Sequence, residues 1–302
     1  SYKNIELNIL DNASTDNTLE IVRKVYPEAK VICSQKNLGT WAGHEVLVKY
    51  SNGKYIMALS VDVILDKNCI LEMINVLNND SNIGAVQQKI YNYRLTNLKN
   101  NQQLERKVID TCGFAFFRSR RIINIGHGTE DRGQFEQERE IFAVEGAAPM
   151  FRHQALEDIR IFGKFADPDF YWYVDDFDLG WRMNLFGWKQ IFTPKAIAFH
   201  DRSTTHTLRK TLLDFIKIRK NIPINKRVLD YRNTLFSLIK NDHIANIIKD
   251  LPYIITRHLF LWGYFLIFEP RMIFVLPKIL KFLQNMLKKS REIMRRSQKS
   301  TR

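Results

Sequence analysis

The stretch that decides the fold is "IELNILDNASTDNTLEIVRKVYPEAKVICSQKNLGTWAGHEVLVKYSNGKYIMALSVD", Ile5 to Asp62. Within it "IELNIL", "KVICSQ" and "YIMALSVD" read as buried strands, and "NTLEIVRKVY" and "AGHEVLVKYS" as amphipathic helices between them. Strands alternating with helices predict an α/β fold with a mostly parallel, Rossmann-like central sheet flanked by helices. Ligands bind such sheets beyond the carboxyl ends of the strands. The polar segments "DNASTDN" (Asp11–Asn17), "KNLGTWAG" (Lys36–Gly43) and "SVDVILD" (Ser60–Asp66) stand at those ends, so three loops should converge on one rim.

Further along, the alternation weakens from Ile90 to Glu140, and the charged, glycine-bearing segment His127–Glu140 reads as a mobile loop near the site. "FAVEGAAPMFRHQALEDI" reads as a strand entering a helix. Then "YWYVDDFDLGWRMNLFGWKQIFTPKAIAFH", Tyr171 to His200, sets Asp175, Asp176 and Asp178 directly after an aromatic run. One carboxylate at a helix start is accounted for by the macrodipole. Three are not. Two adjacent carboxylates beside aromatics repel each other, and partial burial raises at least one pKa toward the range a general base needs. Asp178 fits a cap of the following helix, and Arg182, one turn on, either pairs with it or neutralises a phosphate.

Six segments, "ILDNASTDNT", "NLGTWAG", "LSVD", "VEGAAPMFR", "YVDDFDLGWRMNLFGW" and "AFH", occur in an order and spacing that resembles the GT-A fold glycosyltransferases of family two, and most resembles the bacterial rhamnosyltransferase-type branch. The resemblance covers Ile5 to His200 and extends weakly into "YRNTLFSLIK" (Tyr231–Lys240). It implies that Asp11, Asn12 and Ser14 meet the nucleotide, that Asn37, Gly39, Ser60, Val61 and Asp62 line the nucleotide-sugar pocket, and that Asp62 and His200 hold Mg²⁺ or Mn²⁺. It implies that Asp176 is the base that deprotonates the acceptor hydroxyl, that Asp175 orients it, and that Gly146, Trp181 and Arg182 lie on the acceptor or phosphate side. Ser60 stands where the family's Asp-x-Asp metal motif has its first Asp. Relative to that family the chain also begins late, which implies a missing first strand and helix. The expected activity is inverting transfer of a sugar, with rhamnose among the options, from a dTDP- or UDP-linked donor to a hydroxyl of a glycan or lipid-linked glycan in cell-surface polysaccharide synthesis. The alternatives are a sugar nucleotidyltransferase, whose Gly-rich basic phosphate loop "NLGTWAG" does not supply, and a catalytically dead scaffold, favoured by Ser60 alone.

The chain divides by charge at His200. Residues 201–302 carry 22 Lys/Arg against 7 Asp/Glu, while residues 1–200 carry 24 against 25. We read 1–200 as the catalytic domain and 201–302 as a basic, amphipathic helical extension whose end, from Lys288, is disordered. Cations interleaved with long apolar side chains suit an anionic membrane surface and not a nucleic-acid groove. Pro223, Pro252, Pro270 and Pro277 should each end or kink a helix. The longest uncharged apolar run, Leu259–Phe268, is too short to cross a bilayer. Cys33, Cys69 and Cys112 have neither disulfide nor zinc-ligand spacing, which fits a reducing compartment. The expected location is cytoplasmic, peripheral on the inner face of the plasma membrane.

Overall fold

The computed structural model describes residues 2–94, 104, 106–202 and 212–298. The predicted alternation is present: β1 (Asn8–Asp11), α1 (Thr18–Val25), β2 (Lys30–Cys33), α2 (Thr40–Val48), β3 (Tyr55–Met57), β4 (Val63–Leu65) and α3 (Cys69–Asn79). β1 and β2 pair in parallel as a two-stranded unit. The larger sheet adds β5 (Ile83–Asn92), β6 (Ile109–Thr111), β9 (Arg139–Glu140), β10 (Met150–Arg152) and β11 (Lys189–His200), in the order β3-β10-β5-β11-β4, with β6 on β5 and β9 on β11. β7 (Phe114–Phe116) and β8 (Ile122–Asn124) make a separate hairpin.

The sheet is mixed rather than mostly parallel. Among its hydrogen-bonded pairs only β5–β11 is parallel; β10 enters antiparallel between β3 and β5, and β4 and β9 flank β11 antiparallel. The period reading saw helix-separated strands up to β3 and had no signal for the short strands β4, β6 and β9 reached through loops. The strand read in "FAVEGAAPMFRHQALEDI" is β10, which leads directly into the helix at His153–Asp158; it is reached through the loop that carries Glu145 and Gly146 and brings that loop to the rim.

β5 is buried along nearly its whole length, as expected for a strand covered on both faces. Against the sheet stand α4 (His153–Asp158), on β5, and α5 (Asp175–Leu185), on β11. Phe116, Phe142, Phe177 and Trp181 pack there with ring centroids 4.7–5.8 Å apart. The segment His127–Glu140, read as mobile, is fastened to β5: Lys89 Nζ pairs with Asp131 at 3.0 Å and also with Glu136, and Tyr91 donates to the same Asp131 carboxylate. All three cysteines are free, Cys33 exposed and the other two buried.

The C-terminal helices are α6 (Leu212–Asn221), α7 (Ile224–Asn241), α8 (Ile244–Phe268), a 3₁₀ turn (Pro270–Phe274) and α9 (Val275–Arg296). α9 continues through Lys288 to Arg296, where a disordered tail was expected, because Met286, Lys289 and Ile293 bury a stripe at helical spacing. Residues 299–302 and 203–211 lie outside the described residues. Pro223, Pro270 and Pro277 stand at helix beginnings, as their missing N–H allows. Pro252 does not break α8 but sits inside it on the exposed side. α8 is consequently one 25-residue helix, long and apolar enough by length and composition to cross a membrane. The reading that stopped at Leu259–Phe268 was therefore too short.

α7 is not a detached extension. Along it Asn233, Ser237, Lys240 and Asn241 are buried polar residues at helical spacing. Lys240 Nζ lies 2.8 Å from Asp178 and 2.6 Å from Asp167, and Asn241 Nδ2 donates to Asp178 at 2.7 Å. Arg182 Nη2 completes the group, 3.2 Å from Asp178. Removing one member of such a cluster leaves buried charge uncompensated. Asp178→Ala is therefore expected to cost about 3–5 kcal/mol of stability, read by denaturant unfolding. A loss below about 1 kcal/mol would mean that the cluster is not coupled to folding.

Candidate active site

Register builds the first half of the site. Val63 at the start of β4 pairs with His200 at the end of β11, and the Asp201 N–H donates to the Asp62 carbonyl at 3.1 Å. Asp62 and His200 are thus forced together, with Nε2 of His200 3.5 Å from Oδ2 of Asp62. The opposite ring nitrogen, Nδ1, is 2.8 Å from Oδ2 of Asp110 on β6. Burial works against the charge on His200, but the hydrogen bonds of Asp110 and Asp62 outweigh it and hold its pKa at about 9. The same contact, the His200 hydrogen bond first, lowers the pKa of Asp62.

Asp110 is fully buried and takes a second cation, Arg202 Nε, at 2.7 Å. Burial alone would raise its pKa, yet Arg202, His127 and His200 drive it well below the usual carboxylate range. Arg202 Nη2 reaches on to Glu145 Oε1 at 2.6 Å. Glu145 is itself fixed: its N–H donates to Gln87 Oε1 at 2.7 Å, and its carboxylate receives the Ala147 N–H at 3.0 Å. The next residue, Gly146, donates its N–H to Oδ2 of Asp176 at 2.9 Å. A run of charged contacts therefore links Asp62 to the neighbourhood of Asp176.

Asp175 and Asp176 open α5, where the unpaired helix N–H groups favour negative charge. The Phe177 N–H donates to Asp176 Oδ1 at 2.8 Å. Against that, burial first and the Glu145 charge second push the Asp176 pKa up to about 7. Asp175 is raised well above the ordinary range, by burial first and by Asp176 second. Gly146 is small for a reason: a Cβ there would stand 3.0 Å from Asp176 Oδ2 and 3.3 Å from its Cβ. The turn before α5 is strained, since Tyr171, Tyr173 and Val174 have φ of +64°, +69° and +65°. Each such non-glycine residue costs on the order of 1–3 kcal/mol.

The first two loops meet as the strand ends require. Asn12 accepts the Leu38 N–H at 2.8 Å and donates to Asn37 Oδ1 and the Gly39 carbonyl, both at 3.3 Å. Asp11 receives the Ser14 N–H at 3.1 Å. Gly39, at φ +85°, leaves no space for a Cβ, which would lie 2.2 Å from the Tyr171 carbonyl oxygen. Ser60 is held by its N–H to the Ala147 carbonyl at 2.8 Å, and Val61 projects fully into solvent. Asp11, Asn12, Ser14, Asn37, Gly39, Ser60, Val61 and Asp62 therefore occupy strand-end loops open to a ligand.

Trp181 and Arg182 do not. Both are 1% exposed. Trp181 lies in the aromatic cluster, and Arg182 donates to the carbonyls of Ile159 and Phe165 besides pairing with Asp178. Their place on the acceptor or phosphate side is corrected to a structural one: with Asp178 at i, Trp181 at i+3 and Arg182 at i+4 they form the inward face of α5. Conversely, Asp110, Glu145 and Arg202 had been given no role. Asp110 was detectable as a lone acid inside an apolar strand, "VIDTC", and Arg202 as a cation two residues past the strand-end histidine.

A divalent cation fits this rim on its donor set. Asp62 offers a hard carboxylate and His200 an imidazole whose far nitrogen is braced by Asp110, the usual support for a metal-bound histidine. Among the described residues no group of three or more His, Cys, Asp or Glu converges on one point.

Residues 1–160, more than half of the chain, match the family model "Glycosyl transferase family 2". The match ends before Asp175, Asp176 and His200. Over 64 residues the chain is 36% identical to the UDP-Glc:alpha-D-GlcNAc-diphosphoundecaprenol beta-1,3-glucosyltransferase WfaP of Escherichia coli. That alignment covers 20% of this chain and 25% of the relative, so the chain spans about a quarter of the curated protein it matches. The crystal structure of GalNAc-T7 with UDP, GalNAc and Mn²⁺ superposes with a TM-score of 0.55 at 12% identity, over 78% of this chain and 41% of that one. Strand order, rim and family match agree: the chain belongs to glycosyl transferase family 2 and has its GT-A fold.

Proposed function

We propose that the protein is an inverting glycosyltransferase that moves a sugar from a UDP- or dTDP-linked donor, rhamnose among the candidate sugars, to a hydroxyl of a lipid-linked glycan. The observation that carries this is the connected rim, running from Asp62 and His200 through Asp110, Arg202 and Glu145 to the Gly146–Asp176 contact. It supports a phosphate-side cation site and a base at one edge. Asn12, Asn37 and Gly39 hold the nucleotide; Asp62 and His200 would hold Mg²⁺ or Mn²⁺, which would supply positive charge for the leaving diphosphate. Asp176, partly buried and with its pKa pushed up to about 7, takes the acceptor proton. Asp175 orients it. A single in-line displacement on the opposite face then inverts the anomeric carbon. The relative's action on a diphosphoundecaprenol-linked sugar supports the acceptor class.

The C-terminal helices fit the same reading as a surface mount on an anionic bilayer at the cytoplasmic face, with residues 1–200 as the catalytic part. Ile244, Ile248, Leu259, Phe260 and Ile267 of α8, with Phe274 and Leu280 beyond it, are exposed. The acids of this stretch are all ion-paired: Asp250 with Arg118 and Arg120, Glu269 with Arg219 and Arg227, and Glu292 with Arg295. Lys249, Arg271, Lys278 and Lys281 are exposed. Apolar side chains can sink while these cations meet headgroups at about 1 kcal/mol each. α8 is also fastened near its start by the buried Arg120–Asp250 pair at 2.8 Å, which favours lying flat over crossing.

The test uses the intact chain with anionic vesicles carrying a diphosphopolyprenol-linked sugar and a panel of UDP- and dTDP-sugars. Expected are a lengthened glycan of inverted anomeric configuration, free nucleoside diphosphate, and flotation with anionic but not neutral vesicles that high salt reverses. Release of pyrophosphate, or a retained configuration, would overturn the reaction. Flotation with neutral vesicles as readily as anionic ones would overturn the surface mount.

A further inference from the structure

We propose that Asn233 on α7 is a positioning residue of the active site: its amide locks the left-handed turn that aims Asp175 and Asp176. This rests on the reading of Asp176 as the acceptor base. Asn233 is fully buried, and its Nδ2 lies within hydrogen-bond distance of three carbonyl oxygens of that turn, Phe170 at 3.0 Å, Trp172 at 2.7 Å and Tyr173 at 2.8 Å. These are the carbonyls of the segment in which Tyr171, Tyr173 and Val174 all have positive φ. Left-handed residues of this size persist only where surrounding structure over-determines them. One amide whose two N–H groups are shared among three carbonyls of the turn is such a determinant, because a carbonyl turned inward without a donor would be costly to bury.

The amide is itself aimed. Arg232 donates to Asn233 Oδ1 through Nε at 2.9 Å and Nη2 at 2.8 Å, which fixes Nδ2 toward the turn. The same Nη2 also reaches the Asp169 carbonyl at 2.7 Å. Immediately after Val174 the chain enters α5, whose first two residues are Asp175 and Asp176. The turn also passes over the donor side, since the Tyr171 carbonyl is what fills the space beside Gly39. The orientation of the base is thus set from α7, outside the stretch that the family model matches. α7 is also anchored outside α5 by the Lys240 contact to Asp167 at 2.6 Å, besides the Lys240 and Asn241 contacts to Asp178.

The isosteric change Asn233→Asp tests this. Its carboxylate keeps the volume and a partner in Arg232, so packing is preserved, but lone pairs now face the carbonyls where the amide hydrogens were. In the intact chain kcat should fall about a hundredfold while the donor KM moves less than about threefold. Hydrogen exchange should quicken at the Gly146 and Phe177 amides, which both donate to Asp176. A purely structural role would instead lower the unfolding midpoint and leave kcat of the folded fraction intact. That result, or a kcat within about twofold of the parent with unchanged exchange, overturns the proposal. Should Asn233→Asp not fold, Asn233→Ser, which places one donor near the turn, is read by the same criteria. If the parent chain transfers no sugar at all, the function reading fails while the exchange at Gly146 still decides whether Asn233 locks the turn.

Discussion

Asp176→Asn in the intact chain is expected to lower turnover about 10²- to 10⁴-fold, the usual contribution of a positioned general base, while the affinity for nucleoside diphosphate stays within a few-fold of the parent. The amide keeps the size of the side chain and can still accept from Gly146 or Phe177, but it cannot take a proton. A second signature follows from the pKa of about 7. The base must be ionised, so kcat/KM of the parent should rise with pH up to about 7 and level off above it. Folding reads the same shift with the opposite sign. A carboxylate whose folded pKa stands above its ordinary 3.8 binds its proton more tightly in the native state, so it contributes stability at low pH that is lost as pH rises toward 7. The Asn variant has no such loss, and its unfolding midpoint relative to the parent should climb with pH between about 4 and 7. Charged groups facing Asp176 are Asp175, Glu145 and Arg202, and the two carboxylates reinforce the trend while the arginine opposes it. Near-parent turnover in the variant would remove Asp176 from the chemistry. A flat stability difference across that range would mean that its carboxylate is solvated.

How much of this was legible in the sequence depends on whether a residue's role shows in local pattern. Strand and helix periods located β1, β2, β3 and the helices between them, and the strand ends then placed Asn12, Asn37, Gly39 and Asp62 on one rim. The closeness of Asp62 to His200, 138 positions apart, came from the resemblance; in the structure it follows from the Val63–His200 pairing. What the pattern could not show was long-range pairing of buried charge. Asp110 lies in a three-residue strand between loops, too short for a period, and its meaning depends on His200 and Arg202 arriving from β11. Arg182 was left open between pairing with Asp178 and neutralising a phosphate for the converse reason, and the structure has the pairing. A cation one turn after an acid is common on a solvated helix face, and only the arrival of Lys240 and Asn241 from α7 shows that this face is interior. The polar stripe Asn233, Ser237, Lys240 and Asn241 carried a local signal that went unused. Four polar residues at helical spacing within "YRNTLFSLIKN" mark a face that packs on polar groups rather than on lipid, which separates α7 from the exposed apolar α8.

Asp62→Ala and His200→Ala should each erase the tightening of nucleoside diphosphate binding by Mn²⁺. Calorimetric titration of UDP, with Mn²⁺ and with chelator, measures this without any turnover. The expectation rests on how few ligands the protein offers. Ser60 stands where the resemblance puts a second carboxylate, so on the proposed reading the ion would depend on Asp62, on His200 and on the diphosphate itself. Losing either side chain leaves one protein ligand, too little to hold an ion against water, and the diphosphate then binds equally well with or without Mn²⁺. Asp110→Asn is the finer probe. It keeps a hydrogen-bond partner for His200 Nδ1 but removes the charge that braces the ring, and metal affinity should drop about 10- to 100-fold, as for other residues behind a ligating histidine. A Mn²⁺-linked gain that survives in both alanine variants would place the ion elsewhere. A gain lost with Asp62 but kept with His200 would leave the histidine as a structural partner of Asp110. Restoring a carboxylate with Ser60→Asp should act in the other direction and tighten Mn²⁺ binding in the parent background, because position 60 lies one residue from the exposed Val61 and two from Asp62, on the same rim.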